Sequence, residues 1–134
     1  MLLMTLAGVV GDSLESGHQR RVLLVEDDFL VGLSIKTILE SIGCIVLGPI
    51  PTVAKALAAL ETEHVDAAVL DINIVGGTSV PIAQLLQERH QPFVFVTGYQ
   101  SPQHLLPELL RNVKRLSKPV NERTLATALR DAME

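Results

Sequence analysis

The sequence predicts an α/β fold: a doubly wound parallel sheet of five strands in the order 2-1-3-4-5, with five helical segments covering its faces. Three observations carry this expectation. From Arg21 onward, short β-rich apolar runs alternate with amphipathic stretches, the pattern of repeated βα units. The strand candidates are continuous apolar runs, as strands covered on both faces require. Right-handed crossovers then wind the five units into a sheet with helices on both sides.

The elements follow in order. Val22–Val25 reads as the first strand, and Glu26, Asp27 and Asp28 follow it. Val31, Ile35, Ile38 and Ile42 are spaced 4, 3 and 4, which makes one stripe of a helix that Gly43 can end. Cys44–Leu47 is the second strand, with Gly48-Pro49 as its breaker, and Thr52 caps a helix bearing Val53, Leu57 and Leu60. Val65–Leu70 is the third strand and closes on Asp71. After Gly76-Gly77, Thr78 or Ser79 caps a helix with Ile82, Leu85 and Leu86 on one face. Phe93–Val96 is the fourth strand, closing on Thr97. The Leu105–Leu110 stretch is interrupted by Pro107 and preceded by Pro102, so its helix is expected to be short, late or irregular. Val113–Leu116 is the fifth strand, ending at Lys118-Pro119, and Asn121 caps a last helix facing Leu125, Ala128, Leu129 and Ala132 inward.

Composition narrows the function classes. A chain of 134 residues has room for one ordinary domain, and 48% hydrophobic against 19% charged residues is too apolar for disorder. The net charge of −4 argues against nucleic acid or anionic lipid as a general partner. A single cysteine, Cys44, permits no internal disulfide and fits a reducing cytoplasm. The apolar run at residues 1–11 lacks both the preceding positive charge of a signal peptide and the length of a membrane span. Residues 1–20 are therefore expected to be an N-terminal extension or linker, free to be flexible, and residues 21–134 the domain proper.

In such a sheet, ligands bind beyond the carboxyl ends of the strands, at the switch point between the first and third. Glu26 and Asp27 follow strand one, Asp71 ends strand three, Thr97 ends strand four and Lys118 follows strand five. Carboxylates gathered this way repel unless a raised pKa or a cation relieves them. Their oxygen-only donor set suits a hard ion, Mg²⁺ foremost. Lys118 can balance the charge of a phosphoryl group and Thr97 can donate a hydrogen bond to it, which leaves Asp71 as the nucleophile for an acyl phosphate.

VLLVEDD (22–28), AVLDINI (68–74), FVTG (95–98) and LSKP (116–119), in this order and spacing, resemble the receiver domain of two-component response regulators, over about residues 21–134. The resemblance implies a flavodoxin-like, CheY-like fold. It further implies that Asp71 accepts a phosphoryl group from a sensor histidine kinase or a histidine phosphotransfer protein. Mg²⁺ would be held by Asp27 directly, by Glu26 through water, by Asp71 and by the backbone carbonyl of Asn73. The Lys118-Pro119 bond would be cis. A domain of this kind is a signalling element that phosphorylates and dephosphorylates itself, not a conventional enzyme. It would act in the cytoplasm as a monomer or weak homodimer, without nucleic acid or membrane.

A narrower likeness lies in Phe95-Val96-Thr97-Gly98-Tyr99. With INIVGG after the aspartate, it is similar to the single-domain receivers of α-proteobacteria that carry an F-A-T-G-[GY] motif, with Val96 in place of Ala. Such a stand-alone receiver would pass its signal by protein contact or onward phosphotransfer. Arg115 occupies the position, three residues before the lysine, where most receivers carry Tyr or Phe. Tyr99, the one tyrosine, is the candidate to act as the moving aromatic instead, and Asn73 and Tyr99 are the candidates to set phosphoryl lifetime. Two rival readings remain at this point: a phosphorylation-independent interaction module with a receiver fold, and a flavodoxin-like nucleotide-binding enzyme. Against the enzyme stands the first βα loop, VEDDFLVG, which is acidic where a nucleotide phosphate needs glycine and backbone amides.

Overall fold

The computed structural model describes residues 19–98 and 106–134. Five parallel strands form the main sheet: β1 (Arg21–Val25), β2 (Ile45–Ile50), β3 (Ala67–Asp71), β6 (Phe93–Thr97) and β7 (Arg115–Ser117). Their order is β2-β1-β3-β6-β7. With β6 and β7 as the fourth and fifth strands of the sheet, this is the expected 2-1-3-4-5 order. A two-stranded antiparallel hairpin, β4 (Asn73–Ile74) and β5 (Gly77–Thr78), follows β3. The helices are α1 (Phe29–Ser41), α2 (Val53–Thr62), α3 (Val80–Glu88) and α4 (Glu122–Met133).

Alternate residues of each strand feed two cores. Val22, Leu24, Val69, Val94 and Val96 pack with Ile35 and Leu39 of α1 and with Leu125 and Leu129 of α4. Leu23, Val25, Leu70 and Phe95 point the other way, against Ala56 and Leu60 of α2 and Ile82 and Leu86 of α3. Burial on both faces is why the strands read as unbroken apolar runs.

The caps form where the side chains can accept a bond. Asp28 Oδ1 accepts from Val31 N–H at 3.0 Å, Thr52 Oγ1 from Lys55 N–H at 3.2 Å, and Asn121 Oδ1 from Thr124 N–H at 2.9 Å. Gly43, just past the end of α1, takes φ +94°, the left-handed stop that glycine supplies. Ser79 is the cap of α3 by position only, and Thr78 Oγ1 accepts from Val80 N–H instead. In α1 the buried stripe is Gly32, Ile35 and Leu39, continued by Ile42 just past its end, with Val31 and Ile38 at its margin.

Several features depart from the sequence reading, among them the start of the third strand at Ala67 instead of Val65. Gly48-Pro49 does not break β2, which runs through it to Ile50. The strand lies at the sheet edge, where a proline's missing N–H costs no ladder bond. Its pairing shifts from Leu23↔Leu47 to Val25↔Ile50, a bulge that absorbs the extra residue. Among the described residues there are four α-helices, not five: the leucine stretch yields a 3-10 turn at Glu108–Leu110, entered from Pro107, whose ring cannot sit inside a helix. The last strand of the sheet starts at Arg115, not Val113, because Val113 N–H bonds back to Leu110 O at the end of that turn. The β4–β5 hairpin was not anticipated. Gly76 and Gly77 supply its positive φ angles of +93° and +135°.

Two measurements check this architecture. Gly48 has φ +127°, and a Cβ there would lie 2.4 Å from Leu24 O, whereas at Gly76 nothing stands within 4 Å. Gly48→Ala is expected to lower unfolding free energy by about 3 kcal/mol and Gly76→Ala by about 1 kcal/mol, read from denaturant melts. Cys44 is buried, and burial pushes its thiol up to about 12. At pH 8 a thiol reagent is expected to find no reactive group in the folded protein and one per chain in denaturant.

Candidate functional site

The parallel register brings the ends of β1, β3, β6 and β7 to one edge. Val25 pairs with Leu70, Asp71 with Val96, and Thr97 with Ser117, so the residues that close each strand lie side by side. Carboxylate oxygens of Glu26, Asp27 and Asp71 lie within 4.8 Å of one another. Glu26 and Asp71 are buried, with 2% and 6% of their surface exposed, and Asp27 is the most open of the three. Glu26 is held from both ends: its N–H donates to Ile50 O at 3.0 Å, and its Oε2 accepts from Asp28 N–H at 3.0 Å.

The Lys118 ammonium stands 2.8 Å from Glu26 Oε1 and 3.0 Å from Asp71 Oδ2. The Lys118-Pro119 bond is cis, as is Gly48-Pro49. Burial drives the Asp71 carboxyl up to about 7; the hydrogen bond from Lys118 opposes this and the neighbouring charge of Glu26 adds to it. For Lys118, burial works against the ammonium, but its contacts with Glu26 and Asp71 outweigh that and the net shift is upward. One ammonium thus contacts two of the three carboxylates, which lie close enough to repel one another. Oxygen donors alone, two of the three acids buried, fit a hard divalent cation better than a soft one.

The other anticipated residues divide. Thr97 is buried at the end of β6, and its Oγ1 donates to Gly98 O at 3.0 Å, so its hydroxyl is in the site but turned to its own backbone. Asn73 opens the hairpin opposite Thr78 and is exposed. Arg115 begins β7 opposite Phe95 and is half-buried. Tyr99 lies outside the described residues. Asp28 caps α1 with its side chain, and its backbone N–H also holds Glu26, a contact the sequence reading missed; the cue was its place two residues on, in the turn between strand and helix. It also missed that Lys118 reaches Glu26 as well as Asp71. His64 and His90 are exposed; His18 and His104 lie outside the described residues.

Residues 22–130 match the family model described as the response regulator receiver domain. No curated protein matches the sequence. Among solved structures, SdrG from Sphingomonas melonis Fr1 is 36% identical, with 86% of this chain and 96% of that chain covered and a TM-score of 0.74. The BeF3-activated conformation of SdrG, from Pseudomonas melonis Fr1, is likewise 36% identical, over 85% and 96% of the two chains, with a TM-score of 0.70. A CheY-like receiver domain protein from Methanospirillum hungatei JF-1 is 27% identical over 86% and 94%, with a TM-score of 0.75. A doubly wound sheet, the strand-end acids with their lysine, and a family match over most of the chain agree: this protein belongs to the response regulator receiver domain family.

Proposed function

We propose that the protein is a stand-alone receiver that takes a phosphoryl group onto Asp71 in a Mg²⁺-dependent reaction and passes the signal on by contact or phosphotransfer. The observation that carries this reading is the Lys118 ammonium shared between Glu26 and Asp71 within a cluster of three carboxylates. The donor is a phosphohistidine of a sensor kinase or a histidine phosphotransfer protein. An Asp71 oxygen attacks phosphorus; the O–P bond forms as the N–P bond breaks, and that electron pair leaves with the ring nitrogen. Glu26, Asp27, Asp71 and the Asn73 carbonyl would hold the ion, which supplies positive charge for the phosphoryl oxygens. Lys118 follows the new negative charge and Thr97 turns its hydroxyl from Gly98 O towards it. Attack of water on the acyl phosphate later restores the carboxylate.

Support comes also from SdrG, for which a BeF3-activated conformation is described and whose chain is covered to 96%. The Phe95–Tyr99 string supports placing the protein with the F-A-T-G-[GY] receivers, where Tyr99 takes the aromatic role that Arg115 cannot fill. Among the described residues no helix is long and apolar enough to cross a membrane.

Incubation with a small acyl phosphate and Mg²⁺ is expected to add one phosphoryl group by intact mass, and none after Asp71→Asn or with chelator present. Addition to Asp71→Asn, or none to the wild type, contradicts the reading. Lys118→Met removes the ammonium that competes for Glu26 and Asp71. It is expected to tighten Mg²⁺ binding while slowing phosphoryl transfer by about tenfold or more, followed by titration and by timed mass spectra.

A further inference from the structure

Resting on the reading of Glu26 as an ion-binding acid, we infer that Gly32 is a positioning residue for that carboxylate, acting through Pro49. Gly32 sits in the first turn of α1, its N–H donating to Asp28 O at 2.8 Å, and its backbone is buried. Glycine is a poor residue for a helix interior, so its place there calls for a reason of packing. A Cβ on Gly32 would lie 2.8 Å from both Cβ and Cγ of Pro49 and 3.5 Å from Cγ of Glu26. The first two distances are shorter than carbon atoms tolerate, and a proline ring within a strand cannot swing aside.

An added methyl group must therefore move either β2 or α1, and both lead to Glu26. Pro49 is followed directly by Ile50, whose carbonyl accepts the Glu26 N–H at 3.0 Å. The start of α1 is fixed by Asp28, whose N–H donates to Glu26 Oε2 at 3.0 Å and whose side chain caps the helix. Backbone and carboxylate of Glu26 are thus pinned by the two elements that Gly32 allows to close on each other. Gly48, the neighbour of Pro49 in β2, assists: at φ +127° it lies against Leu24 O, within the bulge that brings Ile50 opposite Val25. The missing side chain at Gly32 sets where Glu26 stands relative to Asp71 and Lys118.

The test is a Mg²⁺ titration of the full chain followed by amide NMR shifts, beside a thermal melt of each variant. Gly32→Ala is expected to weaken Mg²⁺ binding by about tenfold, the effect usual for a group that orients a ligand. Leu39→Ala, a core truncation farther along α1, is expected to lower stability and leave Mg²⁺ affinity unchanged. The double variant Gly32→Ala/Pro49→Gly, compared with Pro49→Gly alone, is expected to regain most of the lost affinity, because both ring atoms that the new methyl group meets are gone. If Gly32→Ala alone fails to fold, the double variant is expected to fold and bind, and supports the inference by doing so. Gly32→Ala that binds as tightly as the wild type, Leu39→Ala that weakens binding equally, or a double variant with no recovery overturns it. A wild type that binds no Mg²⁺ overturns the parent reading instead, and is recognised without any variant.

Discussion

The Lys118 ammonium, 2.8 Å from Glu26 and 3.0 Å from Asp71, is the cation that faces the acids at this edge of the sheet. Three carboxylates whose oxygens lie within 4.8 Å cannot all be ionised cheaply beside a buried core. Burial raises the Asp71 carboxyl to about 7, with Lys118 pulling it down and Glu26 pushing it further up. On the proposed function, a divalent ion would answer the charge deficit, the arrival of a phosphoryl group would redistribute it, and activation would turn on where one ammonium and one hydroxyl point.

The fold imposes this crowding. Parallel pairing of β1 with β3, β3 with β6, and β6 with β7 ends all four strands at the same level, so each closing residue meets the next. Two cores, one on each face, hold that level fixed through residues as buried as Leu23, Leu24, Leu70 and Phe95. At the far edge, β2 closes on Glu26 through Ile50 O while α1 closes through the Asp28 N–H. The acids are prevented from moving apart by the packing that makes the domain stable.

Much of this was legible in the sequence because the site residues punctuate apolar runs: Glu26 after Val25, Asp71 after Leu70, Thr97 after Val96, and Lys118 just past Leu116. Strand order followed from chain topology and from burial on both faces. What escaped notice depends on geometry across the chain. Pro49 reads locally as a breaker, and becomes tolerable only because β2 is an edge strand with a bulge. The β4–β5 hairpin rests on two short pairs, Asn73↔Thr78 and Ile74↔Gly77, too brief to leave an alternating pattern. The fifth helical segment, by contrast, is the short, irregular one that its prolines foretold, a 3-10 turn after Pro107. The Lys118–Glu26 contact joins residues 92 positions apart in the chain, and no local pattern foretells it. Gly32 reads as a weak spot in a helix until its distance to Pro49 is known.

The central claim is that Asp71, Lys118 and Thr97 act as one unit that responds to a phosphoryl group in the presence of a divalent ion. Beryllofluoride, which mimics an acyl phosphate on a carboxylate, tests it without a kinase. Amide NMR spectra recorded with Mg²⁺ and beryllofluoride should show a saturable change at Asp71, Thr97 and Lys118 that spreads along the ends of β3, β6 and β7. The same addition to Asp71→Asn should leave the spectrum unchanged. A wild-type spectrum that does not respond, or an Asp71→Asn spectrum that responds in the same way, would contradict the account.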